Sequence, residues 1–267
     1  MARKRHARGF FAYAIFYLAF LYVPVLFLPV FSFNNSEFIA FPLSGFTTRW
    51  YGEMLADTAM HLALWNSLKV GACVALSATV LGLLTARALT RYRLRGGGAV
   101  LALASLPLFI PDIVLGISLL IVLNRVGLPP SLYAVALGHV LICLPFAITV
   151  LMSRFEGFDR SLEEASLDLG ESAWMTFWRV TFPLVLPGIV ASLLLCFIVS
   201  FDEFLIAYFL AGTDVTLPIY IWGQLRFPFQ LPKVLALGAL ILVATAGLVV
   251  LAEWVRGLGR RAHPAGI

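Results

Sequence analysis

Apolar residues along the chain fall into six runs, at residues 9–33, 66–88, 99–123, 132–153, 187–210 and 234–256, separated by short polar stretches. A segment in hydrocarbon must satisfy its own backbone hydrogen bonds, which takes about 20 apolar residues wound as a helix. Each run reaches that length. The pattern predicts an all-α polytopic membrane protein with six transmembrane helices in one domain, residues 1–267. Composition agrees, with 61% hydrophobic and 12% charged residues, well away from soluble domains.

The first run follows MARKRHARGF, a basic start that resembles a secretory signal. Its apolar part is longer than the usual core of about 7 to 15 residues and no A-x-A site follows, so an uncleaved first span is expected. Positive charge then sets the orientation. With the N-terminus inside, Arg3, Lys4, Arg5, Arg8, Arg87, Arg91, Arg93, Arg95, Arg154, Arg160, Arg179, Arg256, Arg260 and Arg261 are cytoplasmic. Only Arg49, Lys69, Arg125, Arg226 and Lys233 lie outside or at outer span ends. Both termini are therefore expected in the cytoplasm. The basic excess reports topology, and nucleic-acid binding is not expected. Cys73, Cys143 and Cys196 each sit alone in an apolar run, which implies neither a disulfide framework nor a metal site.

Outside the spans, the segment from Phe33 to Trp65 suits an interfacial helix anchored around Trp50, Leu55 and Leu62. The segment from Gly212 to Lys233 is a second external loop, interrupted by Pro218, Pro228 and Pro232. Gly96, Gly97 and Gly98 form a flexible turn before the third span, and no G-x-x-x-x-G-K-[ST] nucleotide loop occurs.

One long polar interruption stands between the fourth and fifth runs, RFEGFDRSLEEASLDLGESAWMTFWRVTFPLVLP from Arg154 to Pro187. Ser161 and Glu164 have capping-box spacing, so a helix is expected from Ser161 through Leu169 to a stop at Gly170. Ser172 caps a second helix, Ala173 to Val180, which Pro183 and Pro187 end before the fifth span.

The spacing Glu164-Ala165-Ser166, three residues, Gly170, nine residues, Val180, one residue, Phe182, Pro183 resembles the EAA loop of bacterial ABC-importer permeases, E-A-A, three residues, G, nine residues, I-x-L-P. Ser166, Val180 and Phe182 depart mildly from that pattern. WNSLKVGACVALSATVLGLLTARAL, LPLFIPDIVLGISLL and SFDEFLIAYFLAGTDVTLPIYIWGQLR are similar to the spermidine/putrescine-type permeases, particularly the C-type member of each pair. The resemblance implies a type I ABC-importer permease fold in a bacterial cytoplasmic (inner) membrane. It implies an ATP-binding subunit dimer, a second homologous permease and an external substrate-binding protein as partners, besides membrane lipid. On this reading the chain is a non-catalytic permease subunit and binds no cofactor, ATP and magnesium residing on the partner ATPase. Glu164, Ala165, Ser166, Gly170, Val180 and Pro183 then couple to the ATPase.

Ionisable residues within spans supply the pathway candidates, because a charge at mid-bilayer is costly. Asp202 and Glu203 lie roughly 22 Å beyond Pro187 at 1.5 Å per residue, in the outer half of the fifth span. Asp112 follows Pro111 at a similar depth in the third. Three carboxylates could attract a cationic amine, with Tyr208, Tyr220 and Trp222 offering faces for cation-π contact. Alternatively, since adjacent residues point about 100° apart on a helix, one acid pairs with another permease's basic group or caps broken backbone near Pro111. His139 is expected as a packed, hydrogen-bonded residue and Lys69 as snorkelling outward. Pro24, Pro29, Pro107, Pro111 and Pro145 kink or end helices. Polyamines or related organic cations are the expected cargo; an amino-acid derivative, opine, thiamine or ferric ion fits the same permease pattern. A membrane-embedded enzyme using Asp112, Asp202 and His139 lacks catalytic spacing and leaves the EAA loop unexplained.

Overall fold

The computed structural model describes residues 2–92 and 96–261, with side chains at 10, 11, 13–92 and 96–247. Arg93 and Arg95, and the side chains of Arg3, Lys4, Arg5, Arg8, Arg256, Arg260 and Arg261, lie outside the described residues. In chain order the α-helices are α1 (Ala2–Ser32), α2 (Arg49–Leu55), α3 (Thr58–Arg91), α4 (Gly97–Ser105), α5 (Asp112–Arg125), α6 (Leu132–Glu156), α7 (Ser161–Asp168), α8 (Ala173–Thr176), α9 (Phe182–Asp202), α10 (Leu205–Leu210), α11 (Leu217–Gln224) and α12 (Leu231–Arg261). Among the described residues five helices are long and apolar enough to cross a membrane, or six if one bent pair counts as a single span.

Residues 1–58 with 221–267, and residues 59–220, form two compact units. In the first, α12 packs on α1 and α2. The chain after α1 folds back through an antiparallel bridge between Asn34 and Phe46. Trp50, 2% exposed, donates its indole N–H to the Asn34 carbonyl at 2.8 Å. Trp50 is thus a packed residue of α2, in place of the interfacial anchor expected from its amphipathic spacing: the carbonyl partner lets the ring go inside. Lys233 pairs with Asp57 at 2.7 Å.

The second unit is built on α3, α6 and α9. Along α3 small residues recur every three or four positions, among them Ala63, Ser67, Gly71, Ala75, Ala78, Gly82 and Ala86, all buried. Lipid tails are as apolar as leucine, so helices in a membrane associate by close backbone approach and buried polar contacts. A Cβ on Gly82 would stand 2.7 Å from Ala147 Cβ and 3.0 Å from its carbonyl carbon, so α3 crosses α6 nearly backbone to backbone. Thr79 and Ser192 share a buried 2.9 Å hydrogen bond from α3 to α9. Cys143 of α6 and Cys196 of α9, expected to be solitary, face each other and each donates its thiol to the other's carbonyl, at 3.6 and 3.7 Å. Pro145 remains within α6, where Thr149 returns its hydroxyl to the Pro145 carbonyl at 2.8 Å.

Two of the six predicted runs are broken. The third, expected as one helix over 99–123, is two helices. Gly97–Phe109, ending in a 3-10 turn over Leu106–Phe109, meets Asp112–Arg125 at 105°. Pro111 enforces the turn, because it holds Ile110 extended (ψ 129°) and offers no N–H to continue the ladder. Of the three glycines before this run, Gly96 makes the turn and Gly97 and Gly98 already belong to α4. The fifth run, expected over 187–210, starts earlier and stops sooner. A π turn at Phe177–Thr181 carries α8 into α9, with the Phe182 N–H reaching back to the Phe177 carbonyl. Pro183 sits in the first turn of α9 and Pro187 inside it, so neither ends a helix. A proline is tolerated in a first turn because its missing N–H has no obligatory partner there. α9 ends at Asp202, Glu203 is extended, and α10 begins at Leu205.

Candidate functional site

The expected coupling residues gather in the α7–α9 hairpin. α7 ends in a Schellman motif: the Glu171 N–H bonds the Ser166 carbonyl, the Gly170 N–H bonds the Leu167 carbonyl, and Gly170 takes φ +90°, which a side chain would strain. Ser172 caps α8 through the Met175 N–H, as its position predicted. The capping box does not form. Asp159 accepts the Ser161 N–H at 3.0 Å, winding starts at Ser161 itself, and Glu164 is left exposed. The Ser161 backbone and hydroxyl groups hold the Asp159 carboxyl below its ordinary range.

Ser166, half-buried, joins α7 to α8 through a 3.0 Å hydrogen bond with Thr176. Ala165 is exposed, Val180 lies half-buried in the π turn, and Pro183 opens α9. Glu163, which spacing did not single out, anchors the hairpin. Its Oε2 is 2.7 Å from Arg91 Nε at the end of α3, with side chains only 14% and 9% exposed, and its Oε1 accepts the Thr181 hydroxyl. The Arg91 guanidinium lies 4.4 Å from the Phe158 ring centre and 5.5 Å from that of Phe155, and Arg160 donates to the Arg91 carbonyl. Arg87 covers the Phe177 ring at 4.5 Å, and Arg179 pairs with Glu171. The hairpin also exposes large apolar side chains: Leu162, Leu167, Leu169, Trp174 and Trp178, Leu169 by 87% and Trp174 by 68%.

Four of the six pathway candidates lie at the two breaks. Asp112 is the exposed first residue of α5 and Asp202 the exposed last residue of α9. Tyr208 is exposed on α10, which packs between α5 and α6. Tyr220 is buried, and Trp222 falls in the other unit. Glu203 does not stand open beside Asp202: its carboxylate accepts the Ile206 and Ala207 N–H groups, both at 3.1 Å, and lies 3.2 Å from His139 Nε2. His139 is packed and hydrogen-bonded, as its apolar setting predicted, with Ser200 as partner at 2.8 Å.

A bundle of apolar helices with two broken spans and an ordered helix–glycine–helix hairpin is the architecture of a membrane permease. The model of the binding-protein-dependent transport system inner membrane component family matches residues 78–258, and the chain belongs to that family. It is 37% identical over 233 residues to the putrescine transport system permease protein PotI of Escherichia coli (strain K12), covering 84% of this chain and 82% of that protein. It is 34% identical over 225 residues to the spermidine/putrescine transport system permease protein PotC of the same strain, covering 84% of each. Among solved structures, a bacterial ABC transporter involved in the import of the acidic polysaccharide alginate shares the fold, with a TM-score of 0.73 at 19% identity over 96% of both chains.

Proposed function

We propose that this chain is one permease half of an ATP-driven importer for polyamines or related organic cations, working with an ATPase dimer, a second permease and an external binding protein. The observation that carries the cargo is the identity, above 30% over most of the chain, to two polyamine-system permeases. Hydrolysis resides on the partner, which holds ATP and magnesium, and this chain supplies coupling and half of the pathway in the cytoplasmic membrane.

The build of the hairpin supports the coupling role. α7 is tied to α8 by Ser166, to α3 by the Glu163–Arg91 pair and to the root of α9 by Thr181, so a push on it reaches two long helices at once. The exposed leucines and tryptophans are the kind of patch that a protein partner covers, and Glu164 beside them is free to meet it. Asp202 is the acid best disposed to attract a cationic amine, being exposed at a break in the backbone, with Asp112 at the other break and Tyr208 nearby in sequence on α10.

The test is uptake. Proteoliposomes holding the chain with its ATPase, second permease and binding protein should accumulate radiolabelled putrescine or spermidine only when ATP is supplied on the ATPase side. Failure with polyamines but ATP-driven uptake of an opine, thiamine or ferric ion would replace the cargo and keep the permease. A purified chain that recruits no ATPase would overturn the importer itself.

A further inference from the structure

Two adjacent acids interrupt the fifth apolar run, and their carboxylates do different things. At Asp202 α9 stops, Glu203 is extended (φ −70°, ψ 123°), and α10 starts two residues later. No proline or glycine makes this break. The first turn of any helix leaves backbone N–H groups without intrahelical partners, and in hydrocarbon each such orphan costs several kcal/mol. Here the Ile206 and Ala207 N–H groups donate to Glu203 Oε1 and Oε2, both at 3.1 Å.

Oε2 also faces His139 Nε2 at 3.2 Å, and His139 is 1% exposed. A carboxylate can only accept, so a neutral His139 meets it as the Nε2–H tautomer, which leaves Nδ1 to accept from the Ser200 hydroxyl 2.8 Å away. One carboxylate therefore ties the last turn of α9, the first turn of α10 and the middle of α6. Packing closes the same junction. A Cβ on Gly138, beside His139, would come within 2.7 Å of Ile206 Cγ2, and one on Gly116 of α5 within 2.8 Å of Phe209 Cδ2. α10 is thus held from two sides at van der Waals distance.

We propose that Glu203 is a positioning residue. It caps α10 and, through His139 and Ser200, fixes the break that presents Asp202 and Tyr208, and it does not itself touch the cargo. The inference rests on the transport reading above, since it assigns those two residues to the pathway.

The test uses the reconstituted complex with putrescine as probe. In Glu203→Gln the amide oxygen still accepts the Ile206 N–H and the amide nitrogen donates to His139, whose proton moves to Nδ1 and bonds Ser200. The Ala207 N–H then loses its acceptor while the other bonds persist, so uptake should fall but stay clearly above that of Glu203→Ala. Glu203→Ala removes every bond and should lower the maximal rate at least about tenfold. His139→Leu should fall with Glu203→Ala. Nitrogen-15 NMR of labelled histidines should show His139 as the Nε2–H tautomer in wild type and the Nδ1–H tautomer in Glu203→Gln. Assembly is followed by copurification with the ATPase. Uptake abolished in Glu203→Gln as fully as in Glu203→Ala, with the complex intact, would make the charge itself the functional feature and overturn the proposal. Full activity of Glu203→Ala would overturn it equally. If wild type carries no putrescine, the cargo reading fails and the tautomer exchange alone decides this inference.

Discussion

Glu163 and Glu164 are neighbours on α7 with opposite surroundings. Glu163 is held by Arg91 and Thr181, with the Arg91 guanidinium itself over two phenylalanine rings, whereas Glu164 faces outward. Removing one partner of an enclosed ion pair leaves the other charge uncompensated. Arg91→Ala should therefore lower stability by about 3 kcal/mol, read as a drop in the melting temperature of the detergent-solubilised protein, while Glu164→Arg should leave that temperature unchanged. The same Glu164→Arg chain should lose ATP-driven uptake; retained coupling would remove Glu164 from the ATPase interface. The motif pointed to Glu164 and passed over Glu163, because Arg91 is far along the chain and only the folded backbone brings it to α7. Asp202 was legible as a charge in an apolar run. The commitment of Glu203 was not, since its partners are two N–H groups that exist only once the helix breaks. Asp202→Asn should raise the putrescine KM about tenfold, the worth of one charge-assisted contact, and an unchanged KM would take Asp202 out of the pathway.

At the scale of elements, hydropathy finds spans because length and apolarity are what a bilayer demands. It does not register breaks. Pro111 marked the first break but not its 105° bend, which depends on how α5 docks against α10. The second break has no helix-breaking residue at all, only an acid three positions before the N–H it caps. The π turn at Phe177–Thr181 likewise joined elements that Pro183 and Pro187 had seemed to separate. The helix crossings were half legible: small residues at three- and four-residue spacing on α3 signal a contact face, but not which helix fills it. Their consequences diverge sharply between glycines. Gly82→Ala places a methyl into the backbone of α6 and should cost about 1–3 kcal/mol by overpacking. Gly52 of α2 has nothing within 4 Å of its missing Cβ, so Gly52→Ala should be neutral or stabilise by up to about 1 kcal/mol. Thermal melts of the two variants, made in parallel, read the contrast directly; equal effects would mean that α3 and α6 do not cross at Gly82.

For the molecule as a whole, α3 gives the membrane a scale. Its 34 residues span roughly 51 Å at 1.5 Å per residue, well beyond a hydrocarbon core of about 30 Å. The excess is long enough for its arginine end to stand clear of the lipid tails with the hairpin attached to it. Arg87, Arg91, Arg154, Arg160 and Arg179 all belong to this end or to the polar segment beside it, and carrying each through hydrocarbon costs about 2.5–3.5 kcal/mol. That bias predicts the hairpin on the cytoplasmic side and the loop around Asp214 on the other. Single cysteines settle the orientation. In a Cys73→Ser background, Glu164→Cys should react with a membrane-impermeant maleimide in inside-out vesicles and stay unlabelled in right-side-out spheroplasts, and Asp214→Cys should do the reverse. Cys143 and Cys196 are buried and contribute little labelling in either. If Glu164→Cys reacted from outside, the charge bias would have been misread, and an ATPase in the cytoplasm could not reach the hairpin. The coupling role would then fail even with the fold and the family unchanged.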